Sequence, residues 1–152
     1  MNRYDIRLTP ISNGTVLDHM PPGTALKVIE ILGLQKPDSS VTVAINTESK
    51  SMGKKDLVFI EGRELNEKEY EKLGLIAKDA TVNIIRNSKV EKKTKLSFPK
   101  EASGLFECLN PKCITVIEQL PSKFSLRETP FRAKCLYCGK AMNEKDVLES
   151  IK

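Results

Sequence analysis

No cysteine occurs before position 108 of this 152-residue chain, histidine occurs once, and no apolar run approaches the roughly 20 residues that a membrane span needs. Each absence excludes something. Without a long apolar segment, and with no hydrophobic h-region in Met1-Asn2-Arg3-Tyr4-Asp5, the chain is expected to be soluble and cytoplasmic, with no membrane partner. His19 is the sole histidine, and no serine or cysteine nucleophile has a base of its own, so no catalytic constellation can be assembled. Gly14, Gly23, Gly53, Gly62 and Gly74 follow neither the Walker nor the Rossmann spacing, which removes those phosphate-binding loops. There is no internal repeat, no low-complexity segment and no long basic run.

What is present is concentrated at one end. Cys108, Cys113, Cys135 and Cys138 form two close pairs separated by 21 residues. Zinc prefers four soft or borderline ligands at tetrahedral corners, and four thiolates on two short loops close that shell. Cys135-Leu136-Tyr137-Cys138-Gly139 is a knuckle with a glycine to relieve the tight turn, and Asn110-Pro111 marks a turn between the first two cysteines. Two disulfides, or four ordinary buried thiols, are the alternatives, and a reducing compartment disfavours the first. With four sulfur ligands the expected metal is one structural zinc per chain with no open position for catalysis.

The metal also bears on domain organisation. Residues 1–97 can build a core of their own, whereas residues 98–152 are too few to bury much apolar surface without a staple. Two domains divided there are expected, with Ser97-Phe98-Pro99-Lys100-Glu101 as the junction. The formal net charge of +5 treats the thiols as neutral. Four thiolates and one Zn²⁺ carry −2 together, which leaves about +3 in the metal-loaded chain, without concentrating it for nucleic acid.

Along the first part, strand-like and helix-like patterns alternate. Ile6 and Leu8 alternate with polar neighbours, and Thr15-Val16-Leu17 follows the Asn13-Gly14 turn. From Thr24, Leu26, Val28, Ile29, Ile31 and Leu32 give an apolar helical face that Gly33 ends. Val41, Val43 and Ile45 have period two, and Leu57-Val58-Phe59-Ile60 follows the turn at Ser51-Met52-Gly53. Asn66 with Glu69 forms a capping box, Leu65 and Tyr70 occupy staple positions, and Gly74 is expected to close that helix. Thr81-Val82-Asn83-Ile84-Ile85 is a strand, and residues 89–96 continue as a charged edge. The order β-α-β-β-α-β predicts an α+β, ferredoxin-like antiparallel sheet with two helices on one face. Beyond it, residues 114–117 and 123–127 read as ribbon strands in a small β-rich zinc domain, and residues 143–151 as a terminal helix.

Few side chains invite chemistry. Asp18 and His19 are adjacent and, in an extended segment, would point to opposite sides. His19 has a base, ligand or purely structural role open to it. Lys92, Lys93 and Lys95 are either phosphate-binding point charges or a solvated strand edge.

The ordered combination of Asn13-Gly14-Thr15-Val16-Leu17-Asp18-His19-Met20, Gly53-Lys54-Lys55-Asp56-Leu57, Ala80-Thr81-Val82-Asn83-Ile84-Ile85-Arg86-Asn87 and the four-cysteine segment resembles the regulatory chain of aspartate carbamoyltransferase. The resemblance covers nearly the whole chain. It implies a non-catalytic subunit of pyrimidine biosynthesis whose regulatory homodimers bridge trimers of the catalytic chain, inhibited by CTP, sometimes with UTP, and activated by ATP. By position it implies that Asp18 and His19 lie at the effector site and that Lys93 faces the triphosphate. Leu8, Ile11, Asn83, Ile85 and Val90 would line the base and ribose pocket. This chain departs from the family at Phe59, where a lysine is usual, and at Ser88, where an aromatic is usual. Lys112 stands where some members use an asparagine against the catalytic chain.

Two other function classes compete. A zinc-ribbon nucleic-acid or transcription-associated module would want basic and aromatic ribbon strands, yet residues 98–152 hold nine basic against seven acidic residues. An enzyme using the ferredoxin-like sheet has no constellation to support it.

Overall fold

The computed structural model describes residues 11–35 and 40–151, so the strand expected around Ile6 and Leu8 lies outside the described residues. Chain order is β1 (Gly14–Met20), α1 (Ala25–Leu32), β2 (Val41–Ser49), β3 (Gly53–Glu61), α2 (Glu67–Ile76), β4 (Thr81–Arg86) and β5 (Lys89–Lys95). These strands form one antiparallel sheet in the order β2-β3-β1-β4-β5. The first four strands have the split βαβ arrangement expected from the sequence, and β5 adds an outer edge through a two-residue turn. Asn87 and Ser88 both have positive φ, 52° and 63°, as the primed hairpin turn that matches strand twist requires.

Alternation along the strands separates two faces. Leu17, Val58, Ile60, Val82 and Ile84 point to the helices and are buried with Ala25, Val28, Leu32 and Leu73. Leu26, expected on the apolar face of α1, is 64% exposed instead. The helix turns Ala25, Val28 and Leu32 to the sheet, an i, i+3, i+7 stripe that leaves Leu26 outside. Ile45 also departs from its period-two pattern. A register shift between Ala44 and Thr47, with Asn46 at φ 59°, breaks the alternation before it reaches the core.

Helix α2 begins as its sequence dictates. The Asn66 side chain accepts from Glu69 N, and the Glu69 carboxylate accepts from Asn66 N, satisfying two donors reciprocally. Arg63 donates to Leu32 O and pairs with Glu69, which ties the end of α1 to the start of α2. Gly74 does not close this helix, which runs to Ile76. Its role is close approach: a Cβ there would lie 2.3 Å from Ser97 O.

A second sheet follows, with strands β6 (Glu101–Ser103), β7 (Lys123–Arg127), β8 (Arg132–Cys135) and β9 (Ala141–Met142) in sequence order. Residues 114–117, expected as a strand from their β-branched composition, form the short helix α3 (Ile114–Ile117). Cys113 O accepts from Val116 N and Ile117 N, both at 3.0 Å, so the turn that aims a cysteine inward overrides local propensity. Helix α4 (Glu144–Ser150) starts with a second capping box, Asn143 with Asp146. The second core gathers Phe106, Phe124, Met142 and Val147 with Cys108, Cys113 and Cys135. Among the described residues no helix is long and apolar enough to cross a membrane.

Candidate functional site

Two sites emerge, one on each sheet. In the second, three segments converge: the loop before α3 carries Cys108 and Cys113, the end of β8 carries Cys135, and the knuckle carries Cys138. All four Sγ atoms lie within 4.8 Å of one another. Cys108 Sγ is 3.6 Å from Cys138 Sγ, and Cys113 Sγ is 3.8 Å from Cys135 Sγ. Four sulfurs at about 2.3 Å from one ion are separated by about 3.8 Å along each tetrahedral edge. The contacts therefore match a closed S₄ shell, and all four thiols are free of disulfides. The site fits one structural zinc.

Local hydrogen bonds shape the two loops. Asn110 Oδ1 accepts from Lys112 N at 3.0 Å and Asn110 O accepts from Cys113 N at 3.0 Å, the turn foreseen at Asn110-Pro111. In the knuckle, Gly139 at φ 79° donates to Cys135 O, and Cys135 N donates to Lys140 O. These same groups divide the thiols electrostatically. The Lys140 backbone N–H, helped by Asn110, lowers Cys138 to about 6. A hydrogen bond from Thr115 lowers Cys113, whereas burial pushes Cys108 up to about 12. Sequence reasoning overlooked Thr115, whose position two residues past a ligand is the only signal it offers.

The first site is the helix-free face of the five-stranded sheet. Cross-strand register aligns Thr42, Phe59, Val16, Asn83 and Lys93 in one row. Asp18 opposes Thr81, which opposes Lys95, in the next row, and Gly14, Ile85 and Val90 make a third. Directly opposed residues share a face, so Asp18, Asn83, Ile85, Val90 and Lys93 all belong to this open side. Three adjacent strands span about 10 Å, the scale of a nucleotide.

Asp18 and His19 do not point to opposite sides. A register shift between Leu17 and Met20, with His19 at φ 58°, makes a bulge there. His19 Nδ1 sits 3.4 Å from Thr81 Oγ1 and 3.8 Å from Asp18 Oδ2. Asp18 Oδ1 accepts from the His19 backbone N–H at 2.6 Å and from Lys55 Nζ at 2.9 Å. Lys55 is the cation that sequence reasoning missed on this face; its alternation with Leu57 and Phe59 along β3 was the available signal.

Ile11 is half-buried in the segment leading to β1. Ser88 N donates to Ser12 O at 2.9 Å and Asn87 N to Asn13 Oδ1 at 3.2 Å, which stitch that segment to the β4–β5 turn beside Ile85 and Val90. Leu8 lies outside the described residues.

Both parts of the chain match known family profiles. Residues 6–97 match the family profile described as aspartate carbamoyltransferase regulatory chain, allosteric domain, and residues 100–148 match that of the same chain's metal binding domain. The chain is similar to the aspartate carbamoyltransferase regulatory chain of Pyrococcus horikoshii, 44% identical over 97% of this chain and 99% of the relative. That of Korarchaeum cryptofilum is 45% identical over 93% and 92%, and that of Methanocaldococcus jannaschii 44% identical over 92% and 94%.

Proposed function

The chain belongs to the aspartate carbamoyltransferase regulatory chain family, and from that membership we propose that it binds nucleoside triphosphates on the open face of its first sheet and relays their effect through its metal-stapled end. It is a non-catalytic subunit, with an allosteric domain followed by a four-cysteine metal-binding domain, and a catalytic chain is its partner.

The effectors in this proposal are CTP and UTP as inhibitors and ATP as activator. The observation that carries it is the grouping of Asp18, His19, Asn83 and Lys93 on one side of three adjacent strands. Lys93 supplies a point charge for the triphosphate, His19 donates to a phosphate oxygen, and Asp18 holds Lys55 and the bulge in place. Ile11, Ile85 and Val90, with Leu8, supply apolar surface for base and ribose. Phe59 provides no cation, and Lys55, paired with Asp18, is a further positive group on this face beside Lys93 and Lys95.

Division of the chain at residues 97 and 98 follows from the same reading. Leu73 packs in the first core and Leu75 in the second, with Gly74 against Ser97 between them. A shift of α2 on effector binding therefore moves both cores. Docking on the catalytic chain falls to the four-cysteine end, where Leu109, Ile114, Ile117, Leu136 and Tyr137 are exposed and the loop between Cys108 and Cys113 bears Asn110 and Lys112. Regulatory homodimers joining catalytic trimers, in a cytoplasm reducing enough to keep the thiols free, complete the proposal.

Calorimetry on the zinc-loaded chain tests the pocket. CTP or ATP should bind the native chain, and His19→Ala with Lys93→Ala together should weaken binding by at least about tenfold while leaving the melting temperature nearly unchanged. Undiminished binding by that double variant would refute the assignment.

A further inference from the structure

The outward face of the second sheet has no part in either site above. Lys123, Ser125 and Arg127 of β7 and Arg132 and Lys134 of β8 are exposed on it, alternating with buried Phe124, Leu126, Ala133 and Cys135. Register sets Ser125 opposite Lys134 and Arg127 opposite Arg132. Like charges directly opposite one another on a sheet face lower stability, so the two arginines form an unfavourable pair by themselves.

Nearby acids do not relieve it. Glu128, in the turn between these strands, is committed to Lys78 of the first part of the chain at 2.9 Å. Glu101 opposes Ser125 from β6, yet among the described residues none of Lys123, Arg127, Arg132 and Lys134 has an ion pair. Ser125, Arg127, Arg132 and Lys134 line one shallow concavity of about 190 Å³ whose wall contains no carboxylate. Arg127 Nε donates to Pro130 O at 3.1 Å, which leaves its two terminal nitrogens for another acceptor.

We infer that this concavity is an oxyanion site for a phosphate ester or diphosphate group. The paired arginine forks take phosphate oxygens, Lys134 adds a point charge, and the Ser125 hydroxyl donates a further hydrogen bond. A bound anion between Arg127 and Arg132 converts their repulsion into shared attraction. Stacking aromatics are absent from the residues that line the concavity, which favours a small anion over a single-stranded nucleic acid. The inference is independent of the nucleotide site on the first sheet.

Inorganic pyrophosphate titrated into the full-length, zinc-loaded chain tests it, with backbone amide shifts and melting temperature as readouts. Saturable shifts are expected at residues 125–134, weakened at least about tenfold by Arg127→Gln with Arg132→Gln, and separately by Lys134→Ala, but retained when His19 and Lys93 are both replaced by alanine. In pyrophosphate-free buffer Arg132→Gln should melt above the native chain, and at saturating pyrophosphate below it. Binding of orthophosphate would indicate a free anion as the natural occupant, and binding of ATP to the His19 and Lys93 variant the tail of a nucleotide; either supports an oxyanion site. Non-saturating shifts equalled by chloride at matched ionic strength, or shifts that vanish only when His19 and Lys93 are replaced, would overturn it. An oligonucleotide binding this face where pyrophosphate does not would overturn it too.

Discussion

Asp56 shows how one side chain organises the neighbourhood of a site. Its carboxylate is fully buried and accepts from Gly23 N at 2.9 Å, Ala25 N at 3.0 Å and Asn46 N at 2.8 Å. Those donors belong to the loop after the Asp18–His19 bulge, the first turn of α1 and the bulge of β2, so a single residue of β3 fixes three irregular backbones. Replacement by alanine leaves buried N–H groups without acceptors and should cost about 3 kcal/mol, read as a lower denaturation midpoint in urea. A loss below about 1 kcal/mol would show that water takes over those donors. Nothing in the spacing of the sequence separates Asp56 from an ordinary exposed strand residue, because its partners lie 10 to 33 positions away. The same limit applies to His19: alternation puts it opposite Asp18, and only the bulge, a tertiary event, brings the two together.

Helix α2 carries both the most legible and the least legible features of the chain. Its capping box is local chemistry, three residues apart, and could be read from Asn66 and Glu69 alone. Gly74 has the usual look of a helix terminator, yet the contact that requires a glycine comes from Ser97, across the junction. Residues 114–117 are a parallel case, a β-branched run bent into a helix by the demands of a metal ligand. A methyl group at position 74 would meet Ser97 O at 2.3 Å and Pro99 Cδ at 3.4 Å. Gly74→Ala should therefore push α2 away from the junction, cost about 1–3 kcal/mol, and blunt the response to effectors more than their binding. Equal losses of response and binding would mean that α2 supports the pocket rather than the relay.

The two cores divide the labour of the molecule. The four-cysteine site belongs to the second, where Cys108, Cys113 and Cys135 are buried with Phe106, Phe124 and Met142 and Cys138 is exposed. Chelating the zinc should unravel that part and release the catalytic chain, while the sheet bearing Asp18 and His19 retains its fold and its nucleotide. Size-exclusion chromatography of the complex, beside nucleotide titration of the chelated chain, reads both outcomes; nucleotide binding that disappeared with assembly would contradict the division. Ile117 and Leu136 are 63% and 53% exposed at the metal end. Changing either to aspartate should weaken assembly at least about tenfold without affecting zinc content, because the loss falls on an exposed apolar contact. The general plan was readable beforehand, since the cysteine spacing and the β-α-β-β-α-β order are periodic or local signals. The packing of α2 between two cores was not, because it depends on contacts that no spacing encodes.

Regulation itself is best measured in the complex of this chain with its catalytic subunit, by aspartate saturation without nucleotide, with CTP and with ATP. CTP should raise the half-saturating aspartate concentration and ATP lower it, each effect abolished by His19→Ala with Lys93→Ala, since an effector acts only through different affinity for two states. Superimposable curves under all three conditions, from a complex of verified stoichiometry, would contradict a regulatory role.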